Sequence, residues 1–269
     1  MSKSARRFQE KGRDRRPVFG EQNFPIDQRT PPIQASKKPL APQTDNQARY
    51  LNSIKTNDVT LGLGPAGTGK TYVATAWAAD QIATRQYGKL IITRPAIEAG
   101  EDSIGFLPGD MGEKMAPYMR PIFDVLNERI GSSHVEGMVA SGRIEIAPLG
   151  FLRGWTFKDA IVILDEAQNT TPQMMKMFLT RLGEGSKLIV NGDIRQTDIK
   201  GMNGLYDAKK RLDGLTGVGQ ITFTRDDIVR HGLVREIIDR YECGDDERAD
   251  DQPDLPGVDT IPFLRSLAA

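Results

Sequence analysis

Residues Gly64-Pro65-Ala66-Gly67-Thr68-Gly69-Lys70-Thr71 constrain this chain more than any other stretch. They match G-x-x-x-x-G-K-[ST], the loop that cradles phosphate groups. The flanks agree with the motif. Asp58-Val59-Thr60-Leu61-Gly62-Leu63 reads as a short buried strand. The alanine-rich stretch Tyr72–Ala79 reads as a helix. Glycines let the backbone curl so that successive N–H groups converge on anionic oxygens. The helix N-terminus adds about half a positive charge at the same place. Gly64 through Gly69 then form the cradle, Lys70 reaches the β- and γ-phosphates, and the Thr71 hydroxyl ligates Mg²⁺. ATP and Mg²⁺ are the expected cofactors. A chance match in a glycine-containing chain is the competing reading, and the strand and helix flanks oppose it.

Composition narrows the rest. A length of 269 residues suits one core domain with appendages, or two small domains. Lys plus Arg and Asp plus Glu both total 36, so any nucleic-acid contact must be a local patch rather than a global basic field. No apolar run approaches the roughly 20 residues of a membrane span, and the start lacks the apolar centre of a signal peptide. The single cysteine, Cys243, excludes an internal disulfide framework, and His134 and His231 are too few for a histidine-based metal site. A cytoplasmic location without a membrane partner is expected.

Residues 1–42 read as a disordered arm, basic at the start (Lys3, Arg6, Arg7, Lys11, Arg13, Arg15, Arg16) and then rich in proline. It is either a nucleic-acid contact or a solvated linker. Residues 43–242 form the expected ATPase domain, and 243–269 an acidic disordered tail. Within the domain, Gln47, Tyr50, Leu51 and Ile54 share one stripe of a short helix. The helix after the loop is expected to end near Gly88. Strands are expected at Lys89–Thr93, Arg143–Ala147, Ala160–Leu164, Lys187–Val190 and Ile221–Phe223. Helices are expected at Pro117–Ile130, from Thr171-Pro172 onward, and within Asp227–Tyr241; Glu98–Gly109 reads as a loop. Met174, Met175, Met177, Phe178 and Leu182 read as core filler. Alternating strands and helices imply an α/β fold with a mainly parallel sheet, whose ligands bind at the carboxyl ends of the strands.

The polar clusters fall at those ends. Asp165 closes an apolar strand, where a carboxylate can hold Mg²⁺ together with Thr71. Glu166 can act as general base toward an attacking water. The plainer alternatives are a helix cap for Asp165 and a surface acid for Glu166. Gln196 can sense the γ-phosphate and Asp193 can relay its state, or the pair can form an ordinary capped turn. Gln47 can hydrogen-bond the adenine edge, as a glutamine ahead of the loop does in helicase-like ATPases, or be a surface glutamine. An arginine finger has candidates in Arg94, Arg153, Arg181, Arg230 and Arg235.

Taken together, several phrases resemble the PhoH family of P-loop ATPases. These are Gly64–Thr71, Thr93-Arg94-Pro95, Gly105-Phe106-Leu107-Pro108-Gly109, Ile163-Leu164-Asp165-Glu166-Ala167-Gln168-Asn169, Leu179-Thr180-Arg181, Gly192-Asp193 and Asp227-Ile228-Val229-Arg230-His231. The resemblance covers about Gln47 to Tyr241, and the short tailed form is similar to phage-type members. It implies a P-loop fold akin to the ATPase half of superfamily 1 helicases, an RNA- or DNA-linked ATPase, and Arg230 as first choice for the finger. Gly232 stands where the family pattern has proline. One such core lacks the second domain of a monomeric helicase, so a homo-oligomer, such as a hexameric ring with a neighbour's arginine, is expected. The alternative is a nucleotide-dependent nucleic-acid-binding switch with slow hydrolysis; a small-molecule kinase is disfavoured by Glu166.

Overall fold

A computed structural model describes residues 38–95, 111–199, 201–229 and 233. Most of the basic arm, the Glu98–Gly109 loop, Arg230, His231, Arg235 and the acidic tail lie outside those residues. Six strands form one sheet: β1 Val59–Leu63, β2 Lys89–Thr93, β3 Ile144–Ile146, β4 Ala160–Leu164, β5 Lys187–Gly192 and β6 Val218–Thr222. Their order is β3-β2-β4-β5-β1-β6, and every pairing is parallel. The helices are α1 Asp45–Thr56, α2 Lys70–Ala83, α3 Met111–Ile130, α4 Ser132–Ala140, α5 Pro172–Leu179 and α6 Gly204–Arg211.

The apolar strand runs are continuous because both faces of the sheet are covered. Alternation along each strand divides them between two cores. Leu90, Ile92, Ile161, Ile163 and Ile189 pack on the face that carries α1 to α4. Ile91, Val162, Leu164, Leu188 and Val190 pack on the opposite face, against α5 and α6. Helix α1 lies close on β1 and β6 because the strand residues beneath it are small. A Cβ on Gly62 would stand 2.9 Å from the Tyr50 ring, and one on Gly219 would overlap Ser53 Oγ. The Tyr50 hydroxyl donates to Asn191 Oδ1 on β5, which fixes the helix across two strands.

The strands match the expected periods, with shifts at their ends. β3 keeps only the centre of Arg143–Ala147, and β6 begins three residues ahead of Ile221. Helix α2 stops at Ala83 rather than near Gly88, because Arg85 takes a left-handed backbone (φ 60°) that no helix continues through. Helix α3 begins six residues before Pro117. Helix α4 was not expected: only Val135 and Met138 of it are buried, so its stripe is thin. Of the presumed core filler in and after α5, Met175 and Phe178 are buried, whereas Leu182 lies beyond the helix at 36% exposure, a correction to its assignment as core. A 3-10 turn, Arg225–Asp227, ends where the Asp227–Tyr241 segment begins, and that segment is described only to Val229 and at Leu233. No helix among the described residues is long and apolar enough to cross a membrane.

Candidate functional site

The loop between β1 and α2 is shaped by backbone conformation. Gly64, Gly67 and Gly69 have φ of 139°, 83° and 82°. At Gly64 the need is steric as well as torsional: a Cβ there would lie 2.5 Å from the Phe223 carbonyl oxygen. The Gly64 N–H donates to the Gly192 carbonyl at 3.1 Å, and Val229 N–H donates to the Gly67 carbonyl at 3.1 Å, so β5 and the chain after the 3-10 turn brace the loop. Thr68 Oγ1 donates to the Pro65 carbonyl at 3.0 Å. The Lys70 ammonium folds back on the loop, donating to the Gly64 carbonyl at 2.6 Å, the Pro65 carbonyl at 2.7 Å and Thr68 Oγ1 at 3.3 Å. None of these partners carries a charge. Burial pushes the Lys70 pKa down, opposed by the negative charges of Asp193, Asp165 and Glu166.

Gln47 is buried beside this loop rather than on the surface. Its Nε2 donates to the Thr68 carbonyl at 3.0 Å, and its Oε1 accepts from Gln43 N–H at 2.8 Å. One Nε2 hydrogen is left over.

The acidic turn after β4 is held by side chains. Asp165 is 3% exposed. Its N–H donates to the Thr93 carbonyl at 3.0 Å, which continues the β2–β4 ladder by one residue. Thr71 Oγ1 donates to Asp165 Oδ1 at 2.9 Å, and Arg94 Nη2 donates to Oδ2 at 2.6 Å. Glu166 occupies the left-handed region at φ 54°, a conformation that costs a residue with a Cβ about 1–3 kcal/mol. The Gln168 amide then links two strand tips: Nε2 donates to Glu166 Oε2 at 2.7 Å, and Oε1 accepts from Asp193 N–H at 3.2 Å. Asn169 pairs with Asp198 in two bonds, Nδ2 to Oδ2 at 3.0 Å and Asp198 N–H to Oδ1 at 2.9 Å. Thr171 caps α5 by accepting from Met174 N–H at 3.2 Å, which ends the turn.

The motif residues Lys70, Thr71, Asp165 and Glu166 therefore meet at the carboxyl ends of β1 and β4, with β5 between them. Asp193 Oδ1 caps its own turn by accepting from Arg195 N–H at 3.0 Å. Gln196 is exposed on that turn, and its backbone N–H donates to the Asp193 carbonyl at 3.1 Å. Among the arginines, Arg94 reaches the site, Arg181 Nη1 donates to the Trp155 carbonyl at 3.3 Å, and Arg153 is exposed. Sequence reasoning missed Gln168 as a bridge and Arg94 as the partner of Asp165; each contact joins residues whose proximity depends on strand order. No cluster of three or more His, Cys, Asp or Glu side chains among the described residues can hold a metal. Thr71 and Asp165 do supply the hard oxygen donors that Mg²⁺ takes alongside nucleotide phosphates, so the residues present fit that ion.

The sequence profile of the family described as PhoH-like protein matches residues 39–242. The chain belongs to the PhoH family. Curated PhoH relatives include a PhoH-like protein of Bacillus subtilis (strain 168), 51% identical over 210 residues, covering 77% of this chain and 66% of that protein. A PhoH-like protein of Mycobacterium tuberculosis (strain ATCC 25618 / H37Rv) is 48% identical, covering 76% of this chain and 58% of its own. Protein PhoH of Escherichia coli (strain K12) is 44% identical, with coverages of 76% and 58%. The match thus spans less than two thirds of the length of these PhoH proteins. Among solved structures, the large terminase of a thermophilic bacteriophage aligns with a TM-score of 0.44 at 14% identity, over 74% of this chain and 50% of the terminase. That likeness is too slight to add to the PhoH assignment. The fold is that of a P-loop nucleotide-binding protein: a parallel sheet flanked by helices, with the phosphate loop at the tip of β1.

Proposed function

We propose that this chain is a magnesium-dependent ATPase that acts on single-stranded RNA or DNA. One observation supports the hydrolytic part most directly. Thr71 and Asp165, 94 positions apart in sequence, share a 2.9 Å hydrogen bond at the mouth of the glycine loop. On this reading Gly64–Gly69 present backbone N–H groups to the phosphates, and Lys70 exchanges its loop carbonyls for phosphate oxygens. Thr71 and Asp165 hold Mg²⁺, which when bound offsets phosphate charge. Gln168 holds Glu166 through Oε2 and leaves Oε1 to take a proton from the attacking water. Gln47 offers its remaining Nε2 hydrogen to the adenine edge. Gln196 senses the γ-phosphate from the turn after β5. Arg230 is the finger. A ring-shaped homo-oligomer, hexameric as in the expectation from sequence, would supply Arg230 from a neighbour.

ATP hydrolysis by the purified chain, with and without single-stranded RNA and DNA, tests this reading. The Lys70→Ala variant is expected to lose about 10²–10³-fold in rate; unchanged hydrolysis would remove the site. Strong stimulation by either nucleic acid supports action on it. Slow hydrolysis without stimulation favours the switch instead. Light scattering that finds a strict monomer at full turnover would remove the ring.

A further inference from the structure

Arg94 stands directly after β2 and grips the carboxylate on which the metal site depends. Its Nη2 lies 2.6 Å from Asp165 Oδ2, with side chains 17% and 4% exposed. A carboxylate at that depth needs a counter-charge. Both of its oxygens are engaged, Oδ1 by the Thr71 hydroxyl and Oδ2 by Arg94. A hydroxyl is a compatible co-ligand of a metal, but a guanidinium is not. A divalent cation and Arg94 would bring like charges together against one buried carboxylate, where repulsion is poorly screened. They are therefore rivals.

The structure also indicates how the rivalry resolves. The Arg94 carbonyl accepts from Leu149 N–H at 3.1 Å, and the neighbouring Thr93 carbonyl accepts from Asp165 N–H at 3.0 Å, so the backbone is pinned on both sides. The side chain is held less well. Its bond to Asp165 runs end-on through one nitrogen rather than as a two-pronged fork, and its Nε is buried without a hydrogen-bond partner. An unsatisfied buried donor weakens the case for staying.

We propose that Arg94 is an exchangeable counter-ion of Asp165. It neutralises the carboxylate while no divalent cation is held, and it gives the carboxylate up when metal arrives with nucleotide. Metal loading then frees a guanidinium at the tip of β2. The inference rests on the reading of Thr71 and Asp165 as the Mg²⁺ donors.

Mn²⁺ is a paramagnetic stand-in for Mg²⁺, and its binding can be followed by electron paramagnetic resonance. It is titrated into the full chain in the presence of ADP, for the wild type, Arg94→Gln and Arg94→Lys. Arg94→Gln is expected to bind Mn²⁺ about tenfold more tightly, since the rival charge is gone. Arg94→Lys keeps a charge but its ammonium is more strongly hydrated, so a gain of about threefold is expected. ADP affinity in EDTA should be the same in all three. Mn²⁺ with ADP should also raise the melting temperature of Arg94→Gln more than that of the wild type. Equal or weaker Mn²⁺ binding by Arg94→Gln overturns the proposal; if that variant does not fold, the same result with Arg94→Lys does so. Loss of ADP affinity in EDTA also overturns it, because Arg94 would then be a phosphate ligand. Failure of the underlying site has a separate signature: Asp165→Asn would leave Mn²⁺ affinity unchanged.

Discussion

The phosphate loop and the acidic turn sit at strand tips of one sheet, yet they are held by opposite means. The loop takes its shape from three glycines at positive φ, and even Lys70 finds its partners mainly in backbone carbonyls a few residues away. The acidic turn takes its shape from side-chain bonds to distant segments: Thr71 and Arg94 on Asp165, the Asp193 N–H on Gln168, Asp198 on Asn169. The loop is thus a local structure that the rest of the sheet braces. The turn exists only once β2, β4 and β5 have been brought side by side. On the proposed function the chemistry divides in the same way, with charge recognition on the loop and proton handling on the turn.

The sharpest way to break that division is Glu166→Gln. Hydrolysis is expected to fall about 10²–10⁴-fold, while equilibrium binding of a fluorescent nucleotide stays near wild type. Single-turnover hydrolysis at the wild-type rate would show that the turn does not carry the proton chemistry. Two glycine substitutions separate the regions by stability. Gly64→Ala places a Cβ 2.5 Å from a backbone oxygen at φ 139°, with no flexible neighbour to yield. It is expected to lose about 1–3 kcal/mol in thermal unfolding, together with nucleotide binding. Gly192→Ala places a Cβ 2.5 Å from Gln168 Oε1 and 2.7 Å from Leu205 Cδ2, both ends of side chains, with the Gln168 backbone nitrogen at 3.0 Å. A smaller loss of melting temperature is expected, with turnover reduced more than nucleotide affinity because the clash falls on Gln168, the partner of Glu166, while the Gly192 carbonyl still receives Gly64 N–H. If both variants fail in the same manner, the two regions are one unit.

The smallest effect concerns the brace behind the loop. Burial raises the pKa of Asp227, but hydrogen bonds from Asn46, the Thr224 N–H, Thr44 and the Thr224 hydroxyl outweigh it and hold the carboxyl below its ordinary value of 3.8. Folding therefore favours the ionised form. The stabilisation is present above the unfolded value and is lost as pH falls through the lower folded one. Asp227→Asn should lower the melting temperature slightly near neutrality and flatten its decline on acidification below about pH 4. An unchanged acid slope would mean that the turn at Arg225–Asp227 does not brace the loop through this carboxylate.

This contrast also explains what the sequence discloses. Gly64–Thr71 is legible because its physics is contained within eight consecutive residues. β4 is legible because both its faces are buried, which leaves an unbroken apolar run of five residues, Ala160–Leu164. Helix α4 is not, since two buried side chains make no clear stripe. Glu166 and Asp165 could be picked out by their place after that strand, but their partners could not. Arg94 stood among five candidate arginines with nothing local to single it out, and only the β2–β4 pairing places it against Asp165. Gln168 carried no assigned role in the phrase after β4, and its bridging depends on β5 lying next to β4.

The peptide group between Gly192 and Asp193 serves both regions. The Gly192 carbonyl receives the N–H of Gly64, and the Asp193 N–H goes to Gln168. Those two atoms belong to a single amide plane, which resonance keeps flat. On the proposed function that plane is a rigid crossbar between substrate grip and water activation, with one bond to each. Anything that pulls on the segment after β5 would disengage both together, with no signal passing through the sheet.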